Sequence, residues 1–137
     1  MATFLLELVS PEKLLLSRQV EMVVIPAAEG EMGILPGHAP MIVALRGGAI
    51  TVREGGQVTE SLFVAGGFAE VTPERVTVLA DEAIPLSALS RAEAAAQLAE
   101  AEAAYAEAAA SGSPEQREAA MARVLAMRSK RDLASAA

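Results

Sequence analysis

The segment AITVREGGQVTESLFV, residues 49–64, decides how the first part of this chain folds. Apolar and polar side chains alternate before its centre, as they do in a β-strand with one buried face. The central EGGQ, residues 54–57, is a strong hairpin signal because paired glycines accept the positive φ angles of a tight turn. The segment therefore predicts two strands, residues 49–53 and 58–64, joined by this turn.

Short runs of the same kind lie on both sides of this hairpin. Glycine or proline interrupts the chain between these runs. The runs cover residues 3–9, 20–24, 41–45, 68–71 and 76–79. Many short strands at this spacing are typical of a β-sandwich or barrel rather than a parallel α/β sheet. We expect this β domain to span residues 1–84.

The composition changes abruptly after Pro85. Residues 88–110 are mostly alanine with four glutamates, and they contain no glycine, proline or β-branched residue, which predicts a helix. Ser90 followed by Glu93 forms a capping-box pattern, although Ser87 is an alternative cap. The segment SGSP, residues 111–114, ends this helix and starts a second one that runs to about Leu133.

Two helices with so short a connection should form an antiparallel hairpin, which we assign to residues 85–137. The second helix is expected to place Met121, Val124, Leu125 and Arg128 on one face. Glutamates dominate the first helix and basic residues the second, so exposed pairs between them should each contribute about 0.2–1 kcal/mol. Alanine buries little area, and we therefore expect a marginally stable hairpin that can undock.

Composition excludes several classes of function. The chain has 137 residues, a net charge of −7, one histidine and no cysteine. An acidic chain does not favour nucleic acid or an anionic membrane as a direct partner, and thiol chemistry is absent. No catalytic triad, phosphate-binding loop or metal-ligand spacing is present, and Glu29 and Glu31 stand in a loop with no evident cleft. We expect a non-enzymatic cytosolic protein with no cofactor, no signal peptide and no membrane span.

Residues 29–40 read EGEMGILPGHAP, and from the residues alone they are a loop stiffened by glycine and proline. Together with VSPE at 9–12, VAGGFAEV at 64–71 and RVTVLAD at 75–81, this loop closely resembles the ε subunit family of F-type ATP synthases. The mitochondrial δ subunit has the same architecture. The segments occur in family order and, with the helical hairpin, cover essentially the whole chain.

The resemblance implies an N-terminal antiparallel β-sandwich of about ten strands followed by a two-helix hairpin. It implies a non-catalytic central-stalk subunit that joins the γ subunit to the c-ring, peripheral on the cytoplasmic face of the bacterial inner membrane. The c-ring contact would involve Glu29, Glu31, Gly33 and His38. A non-catalytic adaptor of another complex with the same architecture is the alternative.

Gly66, Gly67 and Phe68 are candidates for contact with γ. The two glycines can equally mark a bulge or a bend where a side chain would clash. Phe68 can lie in the core or at an interface, and the residues alone favour the core.

In the family the hairpin can extend along γ toward the α/β catalytic head and block ATP hydrolysis, and some members bind ATP near the first helix. Arg91 and Ala92 match that nucleotide motif, but Ala88 replaces its carboxylate, which argues against ATP binding and favours weak or absent inhibition. Arg123, Arg128, Lys130 and Arg131 would either meet acidic surfaces of the head or form the polar face of a docked helix.

Overall fold

The computed structural model describes residues 2–136, with side chains described through residue 134. Ten strands come first in the chain, and a single 3-10 turn at Leu86–Ala88 leads to two helices, α1 (Arg91–Ser111) and α2 (Pro114–Ala136). The strands are β1 (Phe4–Val9), β2 (Leu14–Val20), β3 (Met22–Ala27), β4 (Gly30–Ile34), β5 (Met41–Leu45), β6 (Gly48–Glu54), β7 (Gln57–Val64), β8 (Gly67–Val71), β9 (Arg75–Ala80) and β10 (Ala83–Pro85). This arrangement confirms the predicted fold class.

The strands form one hydrogen-bonded path in the order β10-β7-β6-β3-β5-β8-β9-β1-β2, with β4 paired to β3 beside it. The described strand pairs are antiparallel except for β1 with β9, which run parallel. Inward side chains from β1 to β9 share a single apolar core, so the path folds over on itself into two layers. Arg18 of β2 also reaches Glu54 of β6, with 2.9 Å between Nη2 and Oε2, and so joins strands far apart along the path.

Local turn chemistry places the hairpin where the sequence predicts it. Gly55 and Gly56 have φ angles of 61° and 75°, the values required at both central positions of a type I′ turn. Strands β6 and β7 flank this turn in antiparallel register.

Two strand predictions were wrong. The run at residues 20–24 is not one strand, because β2 ends at Val20 and β3 begins at Met22. The loop expected at residues 29–40 contains β4, whose residues pair with β3 from Val23 to Ala27. Glycine-rich β4 lacks a clear alternating pattern, and its conformation depends on the partner strand.

Both helix starts follow the predicted caps. The Ser90 side chain accepts a hydrogen bond from Glu93 N at 3.2 Å, so Ser90 rather than Ser87 caps α1. At α2, Gln116 N donates to Ser113 Oγ at 3.1 Å and Ser113 N donates to Gln116 Oε1 at 2.8 Å, a reciprocal capping box. The connection is only Gly112 and Ser113, which folds the helices back on each other.

The hairpin packs on the sandwich through a second apolar cluster. Phe63 of β7 is fully buried in it, together with Leu98 and Ala101 of α1 and Val124 and Met127 of α2. Phe63 points away from the sandwich core, whereas its neighbours Leu62 and Val64 belong to that core. Strand β7 is therefore covered on both faces at this point.

The predicted face of α2 was only partly right. Val124 is buried, but Leu125 and Arg128 are exposed, and Ala126, Met127, Lys130 and Ala134 are buried instead. Arg123 and Lys130 were expected to pair with glutamates of α1. In the structure both of them pair instead with Glu82 of the sandwich.

Candidate functional site

The residues predicted to meet a c-ring lie along β4 and beyond both of its ends. Glu29 is exposed in the turn that joins β3 to β4. Glu31 and Gly33 are exposed on β4, two residues apart and therefore on the same side of the strand. They stand opposite Pro26 and Val24 in the register with β3. The strand thus presents an acidic, exposed edge.

His38 follows β4 in a loop that backbone contacts hold in place. Gly37 N donates to Pro73 O at 2.8 Å, which ties the loop to the turn between β8 and β9. His38 Nδ1 lies 2.8 Å from Ala39 O. A carbonyl oxygen only accepts, so this contact requires a hydrogen on Nδ1. His38 is half-buried.

Gly66 and Gly67 have a structural explanation. Their φ angles are 141° and 130°, which few residues other than glycine adopt. A Cβ atom at Gly67 would stand 2.0 Å from the Leu79 carbonyl oxygen, closer than any real contact. The glycines let β8 approach β9 at the start of their pairing, as the bend interpretation predicts.

The expectation that Phe68 lies in the core was wrong. Its side chain is 57% exposed on the outer face of β8, while Ala69 beside it is buried in the core. Strand alternation explains the difference, because successive side chains point to opposite faces.

Phe68 belongs to an exposed line of apolar side chains that crosses five strands in register. Phe68 stands opposite Ala44 on one side and Leu79 on the other, Leu79 is aligned with Val9, and Val9 pairs with Leu14. Leu79 is 53% exposed and Leu14 is 55% exposed. We call these five residues the apolar row. Ile42, two residues from Ala44 on the same strand, extends it and is 74% exposed.

The structure brings Glu31 and one end of the apolar row, Phe68 and Ala44, to the same cleft. Glu31, Gly66, Gly67 and Phe68 line a depression of about 930 Å³, whose opposite wall includes Leu125 of α2. A second groove, with a volume of about 440 Å³, is lined by Glu29, Glu31 and Ile42. His38 lines neither of these two depressions. Of the four predicted c-ring residues, only Glu31 therefore lies beside the predicted γ-contact residues.

Sequence reasoning missed Ile42, Leu79 and Leu14. The apolar row is visible only when the strands are aligned, since its members come from five separate segments of the chain. The signal in the sequence was weak: Leu79 interrupts the alternation of Val76, Val78 and Ala80 with an apolar residue at an outward position.

Arg91 and Ala92, the residues that match a nucleotide motif, are the first two residues of α1 and are both exposed. Ala88, which replaces the motif's carboxylate, lies in the 3-10 turn before the helix. Within residues 2–136 no three histidine or carboxylate side chains come together as a metal-ligand group. Among these residues there is also no helix with the length and apolar character needed to cross a membrane.

Comparison with known proteins places the chain among subunits of one complex. Residues 3–86 match the family described as the ATP synthase, Delta/Epsilon chain, beta-sandwich domain. An ATP synthase epsilon chain of Granulibacter bethesdensis is 68% identical over 106 residues, covering 77% of this chain and 78% of that protein. One from Rhodospirillum rubrum is 57% identical over 84 residues, which are 61% of this chain and 63% of that protein.

Solved structures agree with the sequence relatives. A chain in the cryo-EM structure of the Euglena gracilis mitochondrial ATP synthase, OSCP/F1/c-ring, superimposes with a TM-score of 0.73 at 27% identity, covering 94% of this chain and 79% of that chain. A chain of the Tetrahymena thermophila central stalk and c-ring structure shares the fold, with a TM-score of 0.54 at 13% identity over 63% of this chain and 69% of that chain.

Proposed function

Because the chain belongs to the delta/epsilon chain family of ATP synthases, we propose that it serves as a rotor subunit that couples the c-ring to the γ subunit. Its relatives are named ATP synthase epsilon chain, which is a non-catalytic subunit of that complex. The observation that carries the rotor proposal is the apolar row, an exposed surface that a protein partner would remove from water.

The apolar row is the proposed γ contact. Three large side chains of the row, Leu14, Phe68 and Leu79, are more than half exposed on hydrogen-bonded strands, and a preformed surface of this kind loses little conformational entropy on docking. Gly66 and Gly67 support it indirectly, since they fix the start of β8 that carries Phe68. Phe68 is the proposed centre of the contact because aromatic side chains contribute most per residue at interfaces.

The acidic edge of β4 is the proposed c-ring contact. Glu29 and Glu31 present two carboxylates on a short β-hairpin, and Gly33 leaves the strand beside them free of a side chain. Such a surface suits polar, basic loops at the end of a membrane-embedded ring. His38, held by Ala39 O, adds a polar group beyond the end of the strand.

A rotor subunit built in this way would be peripheral, on the cytoplasmic face of the bacterial inner membrane, and would reach the bilayer only through the c-ring. We further propose that residues 1–84 carry the coupling contacts and that residues 85–137 form a regulatory unit. In that division the hairpin would inhibit ATP hydrolysis only weakly, by leaving the sandwich and extending toward the catalytic head. The departure from the nucleotide motif at Ala88 supports a hairpin that ATP does not control.

The experiment is to add the purified chain to its own catalytic head, prepared with γ but without this subunit, and to measure binding and ATP hydrolysis. Tight binding supports the rotor assignment, and absence of binding to a competent head refutes it. A variant that ends at Leu89 separates coupling from regulation, because it keeps all ten strands and lacks both helices. Its binding to the head, compared with that of the full chain, tests whether the sandwich carries the coupling contacts.

The shortened variant reports on the hairpin through the rate of hydrolysis. If hydrolysis by the complex is higher with the shortened variant than with the full chain, then the hairpin inhibits the enzyme. If hydrolysis is the same with both chains while binding is retained, then the hairpin has no inhibitory role and the regulatory part of the proposal is wrong.

A further inference from the structure

Helix α2 meets the sandwich through a buried ion pair. Lys130 is only 3% exposed, and its Nζ lies 2.7 Å from Oε1 of Glu82, in the turn between β9 and β10. The same Nζ stands 5.6 Å from the centre of the Phe63 ring, within the range of a cation–π contact. Arg123, two helical turns earlier on α2, approaches the other carboxylate oxygen of Glu82 at 3.8 Å.

This ion pair bears on whether the hairpin can dock at all. Burying a lysine ammonium is unfavourable unless a carboxylate compensates its charge, because the group is strongly hydrated in water. In the docked state Glu82 provides that compensation. Without the Glu82 carboxylate the docked helix would hold a buried, uncompensated cation, whereas the undocked helix would return Lys130 to water.

A close backbone contact between Gly47 and Ala126 also sets the position of α2 on the sandwich. A Cβ atom at Gly47 would lie 2.5 Å from the Ala126 Cα atom, so the sandwich backbone touches the helix backbone there. Gly47 is not among the glycines with positive φ, which means that a larger residue would be excluded by α2 and not by its own backbone. Ala126 and Lys130 are four residues apart, on the same side of the helix.

We propose that Glu82 and Lys130 form a latch that makes the docked hairpin the resting state of the free subunit. Releasing the latch removes the charge compensation of Lys130 and uncovers Phe63, so the carboxylate of Glu82 controls the docking equilibrium. The latch concerns the isolated chain. Its consequence for ATP hydrolysis rests on the proposed function above.

The sequence offers a direct assay because it contains two lysines, Lys13 and Lys130. Lys13 is exposed and serves as an internal standard. An amine-acylating reagent followed by peptide mass spectrometry compares the two modification rates in the same molecule. We expect Lys130 to react at least about tenfold more slowly than Lys13 in the wild-type subunit. Equal rates would overturn the proposal that the docked state is the resting state.

Glu82→Gln should raise the modification rate of Lys130 about tenfold and leave that of Lys13 unchanged. Glu12→Gln, an exposed carboxylate beside Lys13, is the matched control and should leave the Lys130 rate unchanged. Gly47→Val tests docking without touching the ion pair, and it too should expose Lys130. If Glu82→Gln leaves Lys130 protected, Glu82 is not the latch.

A distance measurement distinguishes undocking from a local change in amine reactivity or a loss of folding. Spin labels on Ser17→Cys of the sandwich and Ala103→Cys of α1, both exposed positions, report the separation of the two units. Glu82→Lys alone should broaden the distance distribution, and adding Lys130→Glu should restore the wild-type distribution. A double variant that stays broad while its circular dichroism is native refutes the pairing. All of these tests use the subunit alone, so a failed latch is distinguishable from failure to bind the catalytic head.

Discussion

Replacing Phe68 by alanine should weaken binding to the catalytic head far more than it weakens the fold. The Phe68 side chain is 57% exposed, so little of it contributes to the sandwich core. Its outward position on β8 limits the expected loss of folding stability to about 1 kcal/mol, the range of strand propensity at such sites.

The magnitude of the binding effect follows from the exposed area. A phenylalanine buries roughly 150–250 Å² when fully covered, so the exposed part of Phe68 corresponds to about 110 Å². At about 25 cal/mol per Å², covering that area contributes about 2–3 kcal/mol to binding. The dissociation constant should therefore rise about 30- to 150-fold in Phe68→Ala.

Titration of labelled subunit into head that contains γ but lacks this subunit measures the effect. Val58→Ala is the matched control, since Val58 is 49% exposed on β7 but lies outside the apolar row. It should change the dissociation constant by less than about twofold, because isolated surface apolar residues contribute little to binding. Both variants must show wild-type urea unfolding to within about 1 kcal/mol.

Leu79 provides an internal check because it stands directly opposite Phe68 on β9. Single substitutions at the two positions should each weaken binding, and the loss in the double variant should differ from the sum of the two, because neighbouring residues are seldom additive. If Phe68→Ala and Leu79→Ala both bind within twofold of wild type, the apolar row is not the γ contact.

Three further substitutions test the remaining assignments. Gly67→Ala should destabilise the fold by about 3 kcal/mol or more in urea unfolding, because backbone strain of about 1–3 kcal/mol adds to the clash with Leu79 O. The control Gly56→Ala, in the open hairpin turn, should destabilise it by only about 1–2 kcal/mol. Ser90→Ala should cost about 1 kcal/mol by removing the cap of α1, and Ser87→Ala should cost almost nothing; the reverse order would show that Ser87 is the cap. Glu31→Lys should impair rotor assembly and proton-coupled ATP synthesis but not binding to the isolated head, with Glu60→Lys on β7 as the control, and unaffected coupling would exclude Glu31 from the c-ring contact.

Features fixed by local chemistry were predictable from the sequence. The turn at Gly55 and Gly56, the caps at Ser90 and Ser113 and the alanine-rich helices each depend on residues within a few positions of one another. The division into a sandwich and a helical hairpin was also predictable, because the two parts of the chain differ in amino-acid composition.

Features fixed by contacts between distant segments were not predictable in the same way. Strand β4 needs β3 as a partner, because its own composition is that of a loop. The exposure of Phe68 depends on which alternate residues of β8 face the core. The glycine pair before Phe68 has no side chains that would indicate this. The apolar row requires the register of five strands, including the parallel pairing of β1 with β9.

For Lys130, residue type alone leads to the wrong prediction of burial. A lysine among other basic residues near a helix end is usually solvated, and the prediction placed it either against acidic surfaces of the head or on the polar face of a docked helix. The structure buries it because Glu82, 48 positions earlier, stands where the helix docks. The sequence gives no local sign of that pairing, since the two residues belong to different units of the chain.

One local signal does show that something must cover β7. Most strands of the sandwich alternate, but Leu62, Phe63 and Val64 are consecutive, large and buried. In a strand with one face in water, a run of this kind would expose a large apolar side chain. In a strand covered on both faces, all of them are buried. Fully burying a phenylalanine contributes about 1.5–3 kcal/mol, and that contribution is lost whenever the hairpin leaves. The sandwich therefore presents a surface that a docked hairpin covers. If the hairpin extends as proposed, contacts in the complex would have to offset both the exposure of Phe63 and the separation of Lys130 from Glu82.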